Sequence, residues 1–162
     1  MPAALRGFGP LGLAAILAIL AGNLFFPLLG APPVNARYHF VTGNAAVLPG
    51  LIATMIIVAG FGEETLYRGY MFERLGKLLG QSRAAKIAIV LITTALFAAA
   101  HYPDQGIPGV EQAAFTGLVF GGIFAATGEL FMLMVAHASF DLVALALIYW
   151  NLEAPVAHLF FK

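Results

Sequence analysis

Residues 60–76 read GFGEETLYRGYMFERLG: two adjacent glutamates, Glu63 and Glu64, with Arg68 one helical turn later. The preceding stretch, residues 51–59, is LIATMIIVA, almost wholly apolar. Two histidines, His101 and His137, stand in other apolar runs. A charged side chain at mid-bilayer costs about 2.5–3.5 kcal/mol on insertion scales, so carboxylates kept there are functional by default. Two carboxylates and two imidazoles in such surroundings point to acid–base or metal chemistry rather than to packing.

The composition supplies the membrane. The chain has 162 residues, 61% hydrophobic and 10% charged, where a soluble domain carries about a quarter charged residues. The apolar runs are continuous and do not alternate as barrel strands do, and lipid leaves backbone groups no outside partner, so the expected class is an all-α integral membrane protein. At about 20 residues per span, a bundle of about five transmembrane helices with a polar intramembrane site fits in a single domain, residues 1–162. The formal net charge is zero, which gives no sign of a nucleic-acid partner. There are no cysteines, hence no disulfides and no thiolate ligands.

Five spans are expected. The first, about Leu11–Leu29, is read as a retained anchor rather than a signal peptide. The second starts near Ala45 and continues past the glutamates to about Leu79, where Gly80 fits a helix stop and Ser82 an N-cap. The third covers Arg83–His101 and ends at Tyr102-Pro103. A loop from Pro103 to Gly109 leads to the fourth, Val110–Thr127, whose Gly117, Gly121 and Gly122 allow close helix approach. The fifth runs over about Leu130–Asn151. Arg74, Lys77, Arg83 and Lys86 surround the Gly80 turn and place it on the cytoplasmic side by the positive-inside rule.

If spans two and three form a hairpin at Gly80, Glu63 lies about 26 Å from its tip and His101 about 32 Å, nearly level. His137 reaches the same layer once helix tilt is allowed. Glu64 and Arg68 are i,i+4 in the favourable order for a helical ion pair, whereas Glu63 points about 100° away. His137 and Asp141 share a face, as do Phe97 and His101. A buried glutamate beside an imidazole is an arrangement that activates water: the carboxylate takes a proton while the second group orients the water or stabilises an oxyanion.

Three short motifs carry a family resemblance. EETLYR (Glu63, Glu64, Arg68) resembles EExxxR, FAAAH (Phe97, His101) resembles FxxxH, and HASFD (His137, Asp141) resembles HxxxN/D. In that order, on separate apolar segments, they resemble the CPBP intramembrane proteases, the Abi or CAAX-protease family that includes the type II CAAX prenyl endopeptidases. The resemblance covers about residues 45–147. It implies hydrolysis of a peptide bond in a membrane-associated substrate, prenylated or not, by a multi-pass protein, expected in a prokaryotic cell membrane. It implies Glu63 as the base that activates water, His101 as its partner, Glu64 and Arg68 as a supporting pair, and His137 with Asp141 at the oxyanion. Glu63, His101 and His137 could also supply three ligands to a divalent metal such as zinc, although no HExxH pair demands one. Position 141 is Asp where the prenyl endopeptidases carry Asn, and a carboxylate donates to an oxyanion only when protonated. Two non-catalytic alternatives are a membrane scaffold or bacteriocin-immunity-type protein that uses the same polar cavity for binding, and a proton or ion path along the carboxylates.

Overall fold

A computed structural model describes residues 36–160, with side chains through residue 156. The expected first span, Leu11–Leu29, lies outside the described residues. Among those described, every regular element is helical. A 3-10 turn, Ala36–Val41, precedes α1 (Ala45–Leu79), α2 (Arg83–Thr127), α3 (Leu130–Tyr149) and α4 (Glu153–Phe160). The chain is an all-α membrane protein: α1, α2 and α3 are each long and apolar enough to cross a bilayer. Large apolar side chains such as Ile57, Leu78, Leu91 and Phe131 stand exposed on their outer faces, as expected where the solvent is lipid.

The stops and starts follow local chemistry. α1 ends at Gly80, whose φ of 87° suits a residue without Cβ. The Ser82 hydroxyl then accepts the Ala85 N–H and caps α2. α3 ends where Asn151 takes a φ of 55°, a conformation that asparagine tolerates better than most residues.

α2 carries the largest departure from the expected spans. Its helical bonding runs on through Pro103, and the chain turns instead at Gly106, where φ is 65°. Contacts across the turn show a folded hairpin. A Cβ on Gly117 would sit 2.9 Å from the Thr94 side chain, one on Gly121 would sit 3.2 Å from Val90, and Lys86 Nζ donates to the Ala125 carbonyl at 3.4 Å. All three pairs are centred between Gln105 and Gly106, so the two arms run antiparallel. Each arm is just over 30 Å long, about one bilayer core, and they correspond to the third and fourth expected spans. Pro103 does not end the first arm because a proline removes only one helical hydrogen bond. The carbonyls of Pro103 and Asp104 are taken up by the Arg37 guanidinium. Pro108 falls in the first turn of the second arm, where its missing N–H has no helical partner to lose.

Close packing fixes how α1 meets α3. The stretch Thr54–Glu63 packs along α3, and a Cβ on Gly60 would fall 2.7 Å from the Ala138 Cβ and 3.0 Å from the Met134 carbonyl. Glycine is therefore required at that contact. Gly122, expected to serve a similar approach, has nothing within 4 Å of a built Cβ; it lies on the open side of its arm. Over Thr54–Glu63 and Thr65–Met71, α1 winds as π-helix, a rare form that is frequent at functional sites.

Candidate active site

The polar residues of α1 are not equivalent. Glu64 and Arg68 are fully enclosed, with relative exposures of 0% and 1%. Arg68 Nη1 donates to Glu64 Oε1 at 2.7 Å, and Nη2 reaches the Gly117 carbonyl at 3.4 Å. The Gly117 that accepts it is also the residue packed closely against Thr94. The guanidinium also lies over the Phe97 ring, 4.8 Å from its centroid, and 5.7 Å from that of Phe120. A pair on the helix surface, the plain reading of an i,i+4 spacing, is thus replaced by a pair sealed in aromatic surroundings.

Glu64 Oε1 has a second partner, His137 Nδ1, at 2.8 Å. One carboxylate oxygen therefore ties α1 to α3. Since Nδ1 faces a carboxylate, it carries the proton of that bond, and the opposite nitrogen, Nε2, is turned towards the remaining acids. His137 Nε2 lies 3.9 Å from Glu63 Oε2 and 3.8 Å from Asp141 Oδ2. These separations are too long for direct hydrogen bonds. The side chains of Glu63 and Asp141 keep 28% and 21% exposure, yet Glu63 Oε2 itself is shielded and has no hydrogen-bond partner among the described residues. Two carboxylates thus flank one imidazole nitrogen at just under 4 Å, with no direct hydrogen bond between them.

His101 closes the layer from α2. Its ring meets Phe97 edge to face, with centroids 4.6 Å apart, and its Nδ1 bonds the Phe97 carbonyl at 2.8 Å. The same Phe97 ring is 6.0 Å from His137 and 5.0 Å from Tyr67, so this one aromatic residue spaces both histidines. His101 lies within Coulombic range of Glu63 and Asp141, but makes no ion pair with either among the described residues. The expected neighbour of Glu63 was His101; the ring brought nearest is that of His137.

The zinc reading does not fit this donor set. Among the described residues, no three His, Cys, Asp or Glu side chains gather with ligand geometry. A cavity of about 430 Å³ lies elsewhere, at the Gly80 end, with Phe72, Gln81, Lys86 and Phe124 in its walls; it holds none of the six candidate residues.

Glu64's link to His137 is what the sequence could not supply, because it depends on the register of α1 on α3. The spacing within EETLYR gave only the local half of the contact.

The comparison with known families agrees with the membrane setting. Residues 44–143 match the family described as Rce1-like, type II CAAX prenyl endopeptidase Rce1-like. No curated protein and no solved structure matches the chain significantly.

Proposed function

The chain belongs to the Rce1-like family of type II CAAX prenyl endopeptidases, and from this premise we propose that it hydrolyses a peptide bond of a membrane-associated substrate with water activated by Glu63. The observation that carries the reading is the gathering of Glu63 Oε2 and Asp141 Oδ2 within 4 Å of His137 Nε2, beside an acid–base pair that holds His137 in place.

Water bound between Glu63 and His137 loses a proton to Glu63 as its oxygen attacks the substrate carbonyl carbon. With a proton on each ring nitrogen, His137 gives Nδ1–H to Glu64 and Nε2–H to the developing oxyanion. Collapse of the tetrahedral species breaks the C–N bond, and Glu63 passes its proton to the departing nitrogen. The products are a carboxyl and an amine, and the enzyme returns to its starting state. Positioned general bases contribute about 10²–10⁴-fold, and a single preorganised oxyanion donor about 10²–10³-fold.

Glu64 and Arg68 act through His137. Their mutual charge is neutralised in place, and the bond to Nδ1 fixes the ring's orientation, the role a carboxylate plays behind a catalytic histidine. His101 is assigned the place of an electrostatic partner to Glu63, and Asp141 a donor role that it can fill only when protonated.

The test is hydrolysis by purified protein in lipid of two peptides identical except for a prenyl group, with and without chelator. The expected result is a cleaved product in which turnover survives chelation. No product from either peptide, together with partner binding that survives Glu63→Gln, would instead support the scaffold or immunity reading.

A further inference from the structure

The turn Ala36–Val41 is tied down at both ends. Val41 is fully buried against Leu145 and Ile148 of α3. Next to it, the Thr42 hydroxyl donates to the Ile148 carbonyl at 3.1 Å and the Gly43 N–H to the Tyr149 carbonyl at 3.0 Å. At the other end, Arg37 holds the carbonyls of Pro103 and Asp104 at the α2 reversal. The turn thus bridges α3 and α2.

Tyr38 sits at the centre of this bridge. Its ring packs on the Val41, Leu145 and Ile148 cluster, and its phenol faces the Gln105 side chain, within Coulombic range of Asp104 and Asp141. Gln105 is one helical turn beyond His101, and Leu145 one turn beyond Asp141. Tyr38 therefore lies about 5.4 Å, one turn, from the layer of His101 and Asp141, on the side of the Gly106 reversal. Burial, with the carboxylates of Asp104 and Asp141 adding to it and Gln105 and Arg37 opposing, pushes the phenol above its ordinary range, so it stays neutral. The opposite boundary of the site is different in kind. Glu63, the part-covered acid, is flanked on α1 by Phe61 and Leu66, large apolar side chains left exposed, as suits a surface turned to lipid.

We propose that Tyr38 is a positioning residue that roofs the reversal end of the site, shutting out water-borne peptides so that substrate reaches Glu63 and His137 from the lipid side of α1. This rests on the hydrolytic reading above for its substrate, but not for its geometry. Specificity for membrane-borne peptides then comes from the route of access as well as from contacts at the reacting bond.

A chain without native cysteine permits a direct test. Asp141→Cys is made with Tyr38 and with Tyr38→Ala, reconstituted in nanodiscs open to water on both faces, and labelled with a charged, membrane-impermeant methanethiosulfonate. The expected result is labelling about tenfold faster with Tyr38→Ala, the factor released when a cover held by interactions on the order of one hydrogen bond is removed. His101→Cys gives a second reporter should Asp141→Cys fail to fold. Gln81→Cys, at the far end of the molecule, is the control, and its labelling is equal in both backgrounds. Equal labelling at positions 141 and 101 in both backgrounds overturns the roof. In the cysteine-free enzyme, Tyr38→Ala lowers the KM of an unanchored peptide more than that of the same peptide carrying a lipid anchor; an equal change in both also overturns it. Labelling needs no turnover, so a protein inactive on every peptide overturns the hydrolytic reading alone.

Discussion

Glu64→Gln should unfold this protein more readily than any other single change among the site's acids. Glu64 Oε1 receives Arg68 at 2.7 Å and His137 at 2.8 Å, and both Glu64 and Arg68 are closed off from solvent. Glutamine keeps the shape and one acceptor oxygen but removes the charge, leaving Arg68 as a buried cation with a 3.4 Å bond to Gly117 and two aromatic faces. Breaking a buried ion pair from one side costs about 3–5 kcal/mol, because the stranded charge has lost its compensation. For a chain of this size about 1 kcal/mol shifts the midpoint by about 2–4 °C, so the expected fall is about 6–20 °C. The assay is thermal unfolding of purified protein in one detergent, followed by intrinsic fluorescence. Glu63→Gln is the companion, since that residue is part-exposed and makes no hydrogen bond among the described residues; its effect should stay within about 1 kcal/mol. Adding Arg68→Met to Glu64→Gln removes both charges and should restore at least half of the loss. A Glu64→Gln midpoint within about 2 °C of wild type, or a double variant worse than the single, would refute the buried-brace reasoning.

The packing makes further predictions. Gly60→Ala places a Cβ 2.7 Å from that of Ala138; overpacking of this kind costs about 1–3 kcal/mol, and moving α1 off α3 widens the gap between Glu63 and His137. Thermal unfolding and peptide turnover should both fall, and unchanged turnover would separate that contact from the site. Gly117→Ala meets the Thr94 methyl at 2.9 Å, so a fall in midpoint that Thr94→Ser partly reverses is expected from the same measurement. His101→Ala should abolish cleavage while leaving the midpoint within about 1 kcal/mol equivalent, because its bond to Phe97 is a single local one; retained turnover would remove His101 from the proposed machinery.

How much of this was legible depends on whether each contact is local. Composition and continuous apolar runs sufficed for an all-α membrane fold, and the Gly80 stop and Ser82 cap are one-residue chemistry that the structure repeats. The Glu64–Arg68 pair is set by helical spacing alone. The Glu64–His137 bond is not: it joins residues 73 positions apart, through a register that Gly60 imposes by letting α1 touch α3. A level estimate from ideal helix rise pairs Glu63 with His101, because it counts residues from Gly80 and knows nothing of rotation. The π-winding of α1 through Thr54–Met71 changes which way each side chain points, and His137 becomes the nearer ring. Pro103 was expected to end a helix, yet the turn waits for Gly106, the residue free to take positive φ. Tyr38 gave no signal at all, since ARYHFV has neither a helical nor a strand period, and its importance comes entirely from what it bridges.

In the proposed mechanism Glu63, and not its neighbour Glu64, activates the water. This role is tested most directly by single-turnover cleavage of a prenylated membrane peptide by wild type and Glu63→Gln, compared in the same lipid and at matched folded fraction. The cleavage rate should drop by at least about 10²-fold, with the unfolding midpoint preserved. Cleavage by Glu63→Gln at close to the wild-type rate would contradict that role.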